Sequence, residues 1–241
     1  MQIKTDWIIK NLSISRLDDL SSFFNWFPGD LSEFDRNSME QDGIRLPLLV
    51  QSVEDSKFRL IDGFKRLSWL KSVQGKSAEE NHQEQFPCLI IPAFASLRDV
   101  AKIRLETLSA DQTSFSGIHL CRVLNLLSKE GFSKNEIAFQ VFPSLGLVSS
   151  VWLARQLLDL QKKLVTYELH AESLLPESMM SMGYEDLLPL LKFSSSDFPF
   201  VVRLAEKMEV KGKKWCNLLQ VLDEVARLQQ TTADEILKYP E

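Results

Sequence analysis

The sequence has few of the residues that most often cross-link a chain or hold a metal ion. Its 241 residues include three cysteines, Cys88, Cys121 and Cys216, and three histidines, and all six are scattered. No Cys or His spacing matches a zinc ligand set, and three cysteines cannot all be joined in disulfides. We therefore expect a chain without a zinc centre, with reduced thiols, as in the cytoplasm.

The sequence also lacks long apolar runs and an excess of basic residues. No stretch is apolar for the length of a membrane span, and residues 1–10 lack the apolar core of a signal peptide. The 33 acidic and 28 basic side chains give a net charge of −5. This balance argues against a surface covered with nonspecific phosphate contacts, but it is compatible with a local basic face. The apolar fraction of 44% predicts a folded chain.

The first part of the chain has the pattern of a small α+β domain. Alternating or continuous apolar runs predict strands, and Asp55-Ser56 predicts the turn of a hairpin between the second and third of them. Amphipathic spacing predicts helices over residues 17–27 and 64–73. The predicted strands are residues 8–14 (IIKNLSI), 47–53 (PLLVQSV), 57–62 (KFRLID) and 86–94 (FPCLIIPAF), and the last of these is interior because it is apolar throughout.

From Leu97 onward the sequence predicts only helices. One of them begins with Ser133 followed three residues later by Glu136, which is a capping box. The other predicted helices cover residues 98–109, 117–129, 182–192, 198–208 and 215–228, and residues 149–170 form one long helix or a helix pair. We therefore predict an α+β domain over residues 1–96 and an all-α domain over residues 97–241, with the boundary between Pro92 and Thr113.

The junction Asp62-Gly63-Phe64-Lys65-Arg66 connects a predicted strand to a predicted helix. Amide groups at a helix N-terminus are unpaired and attract anions, and Gly63 allows a ligand to approach the backbone closely. Lys65 and Arg66 add two cations that suit phosphate. The alternative is an ordinary turn followed by a helix with surface cations.

The order of these elements resembles the ParB family over roughly residues 5–230. A helix ends in a glycine before a Pro-containing strand (SMEQDGIRLPLLV), and a strand runs into a G-x-x-R turn (FRLIDGFKRLSWL). An apolar strand and a Glu-containing helix before a helix-turn-helix follow. The resemblance implies a ParB/sulfiredoxin-like N-terminal domain, a fold shared with small-molecule kinases, followed by an all-α helix-turn-helix domain.

In partition proteins the resemblance implies a nucleotide, CTP, bound with Mg²⁺ at the turn. The family motif G-E-R-R is Gly63-Phe64-Lys65-Arg66 in this chain, and E-N-x-x-R begins at Glu106 and ends at Ala110. The expected nucleotide and phosphate ligands are Asp62, Gly63, Lys65, Arg66 and Thr107, and the expected metal ligand is Glu106. A redox role for Cys88, by analogy with sulfiredoxin, is the weaker interpretation because Cys88 lies in an apolar strand rather than in the turn.

The resemblance also places a DNA-binding helix pair in the second domain. The first helix covers residues 133–141 with Ile137, Ala138 and Val141 facing inward, and the recognition helix begins at Ser149-Ser150. The expected DNA contacts are Lys134, Ser149, Ser150, Trp152, Arg155 and Gln156, with further phosphate contacts from Lys129, Lys162 and Lys163. The alternative is a helical bundle that keeps the shape without the DNA, and an exposed Trp152 would then mark a partner interface.

Three functions follow as hypotheses. The first is a cytoplasmic, ParB-like DNA-binding protein of the partition, plasmid-maintenance or transcription-factor type, with DNA, a ParA-type ATPase and further copies of itself as partners and no membrane. The second is an enzyme of the same fold, a small-molecule phosphotransferase or nuclease, with Asp62 or Glu106 as base. The third is a degenerate scaffold that binds neither nucleotide nor DNA.

Overall fold

The chain consists of two compact units, Met1–Thr107 and Leu108–Glu241. The computed structural model describes residues 7–18, 23–26, 32–44, 46–54, 57–74, 85–108, 116–171, 175–194, 197–208 and 212–229. The division falls after helix α3 (Leu97–Thr107), eleven residues after the predicted limit at residue 96 and inside the predicted interval from Pro92 to Thr113. Helix α3 belongs to the first unit because its Arg104 forms an ion pair with Asp62 of that unit.

A five-stranded mixed sheet forms the frame of the first unit. Its strands stand in the order β1-β5-β3-β4-β2. The β3–β4 pair is the predicted antiparallel hairpin, β1 is antiparallel to β5, and the β3–β5 and β2–β4 pairs are parallel. The strand bounds are β1 Ile8–Ser13, β2 Leu17–Asp18, β3 Leu48–Glu54, β4 Lys57–Asp62 and β5 Gln85–Ile91.

The apolar pattern of these strands accounts for the core of the first unit. Strand β5 lies between β1 and β3, as its continuous apolar sequence predicts. Side chains that are almost fully removed from water join the sheet to helix α2 (Phe64–Gln74) in one cluster. Its members include Leu12, Leu48, Val50, Leu60, Leu67, Leu70 and Cys88.

Three α-helices accompany the sheet in the residues that the structure describes. Helix α1 (Glu33–Asp42) begins at Ser32, whose Oγ accepts the Asp35 N–H, and ends at Gly43 with φ +70°, as the glycine before the Pro-containing strand predicts. Helix α2 (Phe64–Gln74) follows β4, and α3 follows β5. These three helices and the sheet confirm the α+β prediction for this part of the chain.

The predicted helix over residues 17–27 is not present in the described part of that segment. Leu17–Asp18 is strand β2, which pairs with Phe58 and Arg59, and Phe23 and Phe24 form a turn. Leu17 and Phe24 are buried, so tertiary contacts outweigh the helical spacing here. Residues 19–22 and 27 lie outside the described residues.

The second unit is all-α in the residues described. Helix α4 starts at Gly117, whose N–H donates to Met182 O at 2.7 Å, and Ser116 caps this helix through the His119 N–H. The helices are α4 Gly117–Lys129, α5 Lys134–Glu136, α6 Phe142–Ser144, α7 Val151–Ala171, α8 Glu177–Met180, α9 Tyr184–Leu187, α10 Phe198–Met208 and α11 Lys213–Leu228, with a 3-10 turn at Leu188–Lys192. No helix in the described ranges is long and apolar enough to cross a membrane.

A continuous helical segment precedes α7 and consists of three parts. Helices α5 and α6 flank a π-helical stretch, Ile137–Val141. The predicted capping box is present, since the Ser133 hydroxyl accepts the Glu136 N–H and the Glu136 carboxylate accepts the Ser133 N–H. Ile137, Ala138 and Val141 are buried as predicted. Residues 145–150 connect this segment to α7, which is one helix rather than a helix pair.

Candidate functional sites

The turn between β4 and α2 requires a glycine at position 63. Gly63 has φ +98°, where side chains are rarely tolerated. A Cβ atom there would lie 2.5 Å from Leu48 Cδ2, and 3.2 Å from Arg66 Nη2. The Gly63 N–H donates to Asp62 Oδ1 at 2.7 Å. The amide that the sequence assigned to a phosphate ligand is therefore directed at the neighbouring carboxylate.

Arg66 folds back onto the chain rather than outward. Its Nη1 donates to Leu46 O at 2.6 Å and to Pro47 O at 2.9 Å, and its Nη2 lies 3.4 Å from Asp62 Oδ2. Burial lowers the pKa of Arg66, and the Asp62 carboxylate opposes that shift. The guanidinium thus fastens the start of helix α2 to the segment that enters β3.

A second arginine, Arg104 of α3, approaches the same carboxylate. Arg104 Nη1 lies 3.0 Å from Asp62 Oδ1, and only 7% of the Arg104 side chain is exposed. The guanidinium also lies 5.9 Å from the centre of the Trp26 ring. Burial lowers the pKa of Arg104, Asp62 raises it, and Arg66 lowers it further. Asp62 is therefore held between two guanidiniums, and the cluster carries one positive charge in excess.

Sequence reasoning missed Arg104, although the sequence contains a signal for it. Val100, Ala101, Ile103 and Leu105 of α3 are all buried, so Arg104 stands among core positions of this helix. A cation on an apolar helix face requires a partner that offsets the loss of hydration. That partner is a residue of β4, which the helix pattern alone does not reveal.

The other predicted ligands of the turn are differently placed. Thr107 Oγ1 donates to Arg104 O at 2.9 Å and accepts from Arg104 Nη1 at 3.4 Å. Lys65 is exposed. Glu106 is also exposed and lies about 200° around the helix from Arg104, so it faces away from Asp62. The structure brings together Asp62, Gly63 and Arg66 and leaves Glu106 apart from them.

These residues do not fit a magnesium nucleotide. The Gly63 amide and the Nη atoms of both arginines already donate to protein oxygens, and of these guanidinium atoms only Arg104 Nε is buried without a partner among the described residues, so a phosphate group bound by these donors would compete with the Asp62 carboxylate. In the part of the chain that the structure describes, no three His, Cys, Asp or Glu side chains come together as a metal site. Asp62 is a poor cation ligand because it is neutralised by two arginines.

Two of the three cysteines are buried, and for Cys88 its position in an apolar strand predicts this. Cys88 and Cys121 are fully buried, and burial raises the pKa of Cys88 to about 11 and that of Cys121 to about 12. A thiol with such a pKa is almost entirely protonated near neutral pH and is a weak nucleophile. Cys216 is partly exposed, and burial together with Asp186 raises its pKa.

The start of α7 presents the predicted DNA-contacting residues. Ser150 caps the helix by accepting the Leu153 N–H at 3.1 Å, and Ser149 is exposed just before it. Trp152 is 64% exposed and Arg155 is 67% exposed in its side chain. Gln156 is partly exposed, and Lys134 of the preceding helical segment is exposed.

The cations around α7 differ in how freely they can meet an anion. Arg155 Nε lies 3.9 Å from Asp159 Oδ2, and Lys162 Nζ lies 2.9 Å from Asp159 Oδ1. Both side chains remain mostly exposed, so these pairs are weak and exchangeable. Lys163 is different, because its Nζ donates to Leu191 O and Phe193 O, and burial lowers its pKa. Lys163 therefore holds the 3-10 turn, and its amino group is less available to a phosphate than those of the exposed cations.

Comparison with known proteins gives matches at the level of structure alone. The chain matches no family model and no curated protein. The ParB-N domain of a Pnob8-like protein matches 92% of this chain and 100% of its own, with a TM-score of 0.50 and 13% identity.

Two structures of ParB from Caulobacter crescentus, both C-terminally truncated, match with lower scores. The one complexed to the centromeric parS site has a TM-score of 0.43 and 11% identity, and it covers 88% of this chain and 98% of its own. The one complexed with CTP-gamma-S has a TM-score of 0.32 and 16% identity, over 82% of this chain and 98% of its own. The chain therefore has the fold of the Pnob8-like ParB-N domain.

Proposed function

We propose that this chain is a ParB-like protein that binds duplex DNA through the helix-turn-helix formed by residues 133–144 and α7. The observation that carries the proposal is the exposed start of α7, where Arg155 and Gln156 lie on the outer side of a helix whose N-terminus is also exposed. Arginine and glutamine are side chains that read base edges, and helix N-terminal amides bind backbone phosphate.

The local charge supports DNA as the partner. Residues 129–163 contain five Lys or Arg and three Asp or Glu, a net charge of +2 in a chain whose total is −5. Lys129, Lys134, Arg155 and Lys162 are exposed. If all four met phosphates, the logarithm of affinity would fall with the logarithm of salt concentration with a slope of roughly −3.6.

Neither a bound nucleotide nor an enzymatic role receives comparable support. The Gly63 amide and the Arg66 guanidinium donate to Asp62 and to backbone oxygens, Arg104 pairs with the same carboxylate, and this pairing makes Asp62 a poor general base. No step of the proposal therefore passes through a nucleotide or a metal ion. A ParA-type ATPase, self-association, plasmid maintenance and a cytoplasmic location follow from the family resemblance and stay predictions.

The proposal is tested by salt-dependent DNA binding. Fluorescence anisotropy of a labelled random-sequence duplex is measured over a range of salt concentrations for wild type, Arg155→Ala and Lys134→Ala. Each variant is expected to bind more weakly and to make the salt slope shallower by about 0.9.

Lys57→Ala is the matched control, because Lys57 is an exposed lysine of β4 in the first unit. This variant is expected to bind as wild type does. No binding at low salt, or equal losses in all three variants, would remove α7 as a DNA-binding helix.

A further inference from the structure

The surface at the start of α7 is unusually apolar for a helix that meets phosphate. Trp152 is 64% exposed, and Val148, in the connection before the helix, is 82% exposed. Phe139 of the π-helical stretch is also largely exposed. Exposed apolar side chains that lie close together mark a surface that a partner covers, and Val148 and Trp152 are only four positions apart in the chain.

Trp152 shares a helix face with two polar side chains. Arg155 and Gln156 follow it at i+3 and i+4, the spacing at which side chains are neighbours on a helix. Four residues rise about 6 Å along the axis, which is less than two base-pair steps of duplex DNA. The Trp152 indole and the Gln156 amide can thus contact the same base pair or two adjacent base pairs.

This combination of groups matches an A·T base pair in the major groove. Adenine presents an N7 acceptor and an N6 donor, which pair with a glutamine amide, and the partner thymine presents a C5-methyl group, which takes apolar contacts. Resting on the proposed function, we infer that α7 selects A·T base pairs, with Gln156 against adenine and the Trp152 ring against the thymine methyl.

The charge of the surroundings favours DNA over a protein as the occupant. The apolar side chain stands next to Arg155, close to the exposed start of α7, in a segment of net charge +2. An anionic partner with small apolar groups on its surface satisfies all of these features at once. A protein partner would be required to carry an acidic rim around an apolar centre, and it is one outcome of the test below.

The test removes the thymine methyl and nothing else. Duplexes enriched on the wild-type protein from a random pool are resynthesised with uracil in place of thymine, which leaves charge and hydrogen-bonding groups unchanged. Wild type is expected to bind the uracil duplexes about three- to fivefold more weakly for each methyl group contacted. Trp152→Ala is expected to bind thymine and uracil duplexes equally, and Arg155→Ala to lose affinity for both by the same factor.

Two controls separate a specific effect of Trp152 from the general loss of an exposed ring and from unfolding. Phe94→Ala removes an exposed aromatic ring of the first unit and is expected to keep the thymine preference. Circular dichroism and thermal melting establish that Trp152→Ala is folded, as expected for a mostly exposed side chain.

Failure of the proposed DNA binding and failure of the A·T inference give different results. If wild type binds no duplex, the proposed function itself is wrong. If wild type binds thymine and uracil duplexes equally, or if Trp152→Ala keeps both full affinity and the thymine preference, DNA binding stands but the inference is overturned. In the last case Trp152 does not contact the DNA, and a protein partner becomes the hypothesis for its exposed ring.

Discussion

The carboxylate of Asp62 takes the place that the sequence analysis predicted for a phosphate ligand. It accepts the hydrogen bond of the turn and pairs with the cations there. Gly63 N–H, Arg66 and Arg104 all converge on its two oxygens. Because the carboxylate is only 27% exposed, its charge is weakly screened and offsets the burial of both guanidiniums. A single residue therefore determines whether this turn is a ligand site or a structural ion cluster.

Asp62→Asn tests the structural role. The change leaves two mostly buried guanidiniums without a counter-charge, and we expect the free energy of unfolding to fall by about 2–4 kcal/mol. Chemical denaturation measures this loss. Asp223→Asn is the matched control, since it breaks a pair with a largely exposed Arg227 and should cost less than about 1 kcal/mol.

The Asp62→Asn variant should also gain sensitivity to anions. Sulfate that binds the two freed arginines in the folded state raises the melting temperature, and the rise should exceed that of wild type. Equal stability losses in the Asp62 and Asp223 variants, or equal sulfate effects in the variant and wild type, would show that the cluster does not hold the turn.

His119 makes a separate, pH-dependent contribution to the free energy of unfolding. Burial lowers the pKa of His119 below its ordinary value of 6.5, and the nearby Arg122 lowers it further. The unfolded state therefore takes up a proton at a higher pH than the folded state does, so this group reduces stability as pH falls below 6.5. At higher pH the imidazole is neutral in both states and the contribution disappears.

His119→Gln should flatten this dependence. Urea unfolding at pH 7 and pH 5 is expected to show a smaller loss of stability for the variant than for wild type over that interval, because glutamine does not titrate. Carboxylates that titrate between pH 7 and pH 5 affect wild type and the variant equally, so their contribution cancels when the two losses of stability are compared. An identical loss in both would mean that His119 has the same pKa in the folded and unfolded states.

At the scale of elements, the close crossing of α4 and α9 depends on a residue without a side chain. A Cβ atom at Gly117 would lie 2.6 Å from both Cα and N of Tyr184, which are backbone atoms and cannot turn aside. The Gly117 N–H also donates to Met182 O across this crossing. Close packing of the two helices and a hydrogen bond therefore rely on the same position.

Gly117→Ala should separate the two helices and lower the free energy of unfolding by about 2–3 kcal/mol. Gly183→Ala is the matched control on the other side of the crossing, because nothing lies within 4 Å of a Cβ atom placed there. Denaturant unfolding of both variants measures the difference. Equal losses of stability in the two variants would mean that helices α4 and α9 can move apart without a loss of free energy.

At the scale of the whole molecule, the division into units Met1–Thr107 and Leu108–Glu241 predicts local responses to these changes. Asp62→Asn should increase amide hydrogen exchange in the first unit, and Gly117→Ala should increase it in the second. Hydrogen-exchange mass spectrometry resolves the two by peptide. A rise over the whole chain in either variant would show that the two units unfold as one.

Much of the fold followed from local patterns. The β3–β4 hairpin, helices α2 and α4 and the capping box at Ser133 were predicted because their periodicity and end signals are local. The segment over residues 17–27 was predicted as a helix, yet Leu17 pairs with Phe58 in the sheet. Strand pairing between distant residues is not encoded in the spacing of either partner, so that error could not be avoided from sequence alone.

Local patterns in the sequence were sufficient to predict the class of the fold, the order of most of its elements and the residue types available at each candidate site. Tertiary structure alone decided which of those groups are free. Arg104 reaches Asp62 only because α3 packs beside β4, and Lys163 is occupied only because the 3-10 turn lies against α7. Whether a charged group meets a ligand or a neighbour depends on contacts between distant parts of the chain, and these form only when the chain folds.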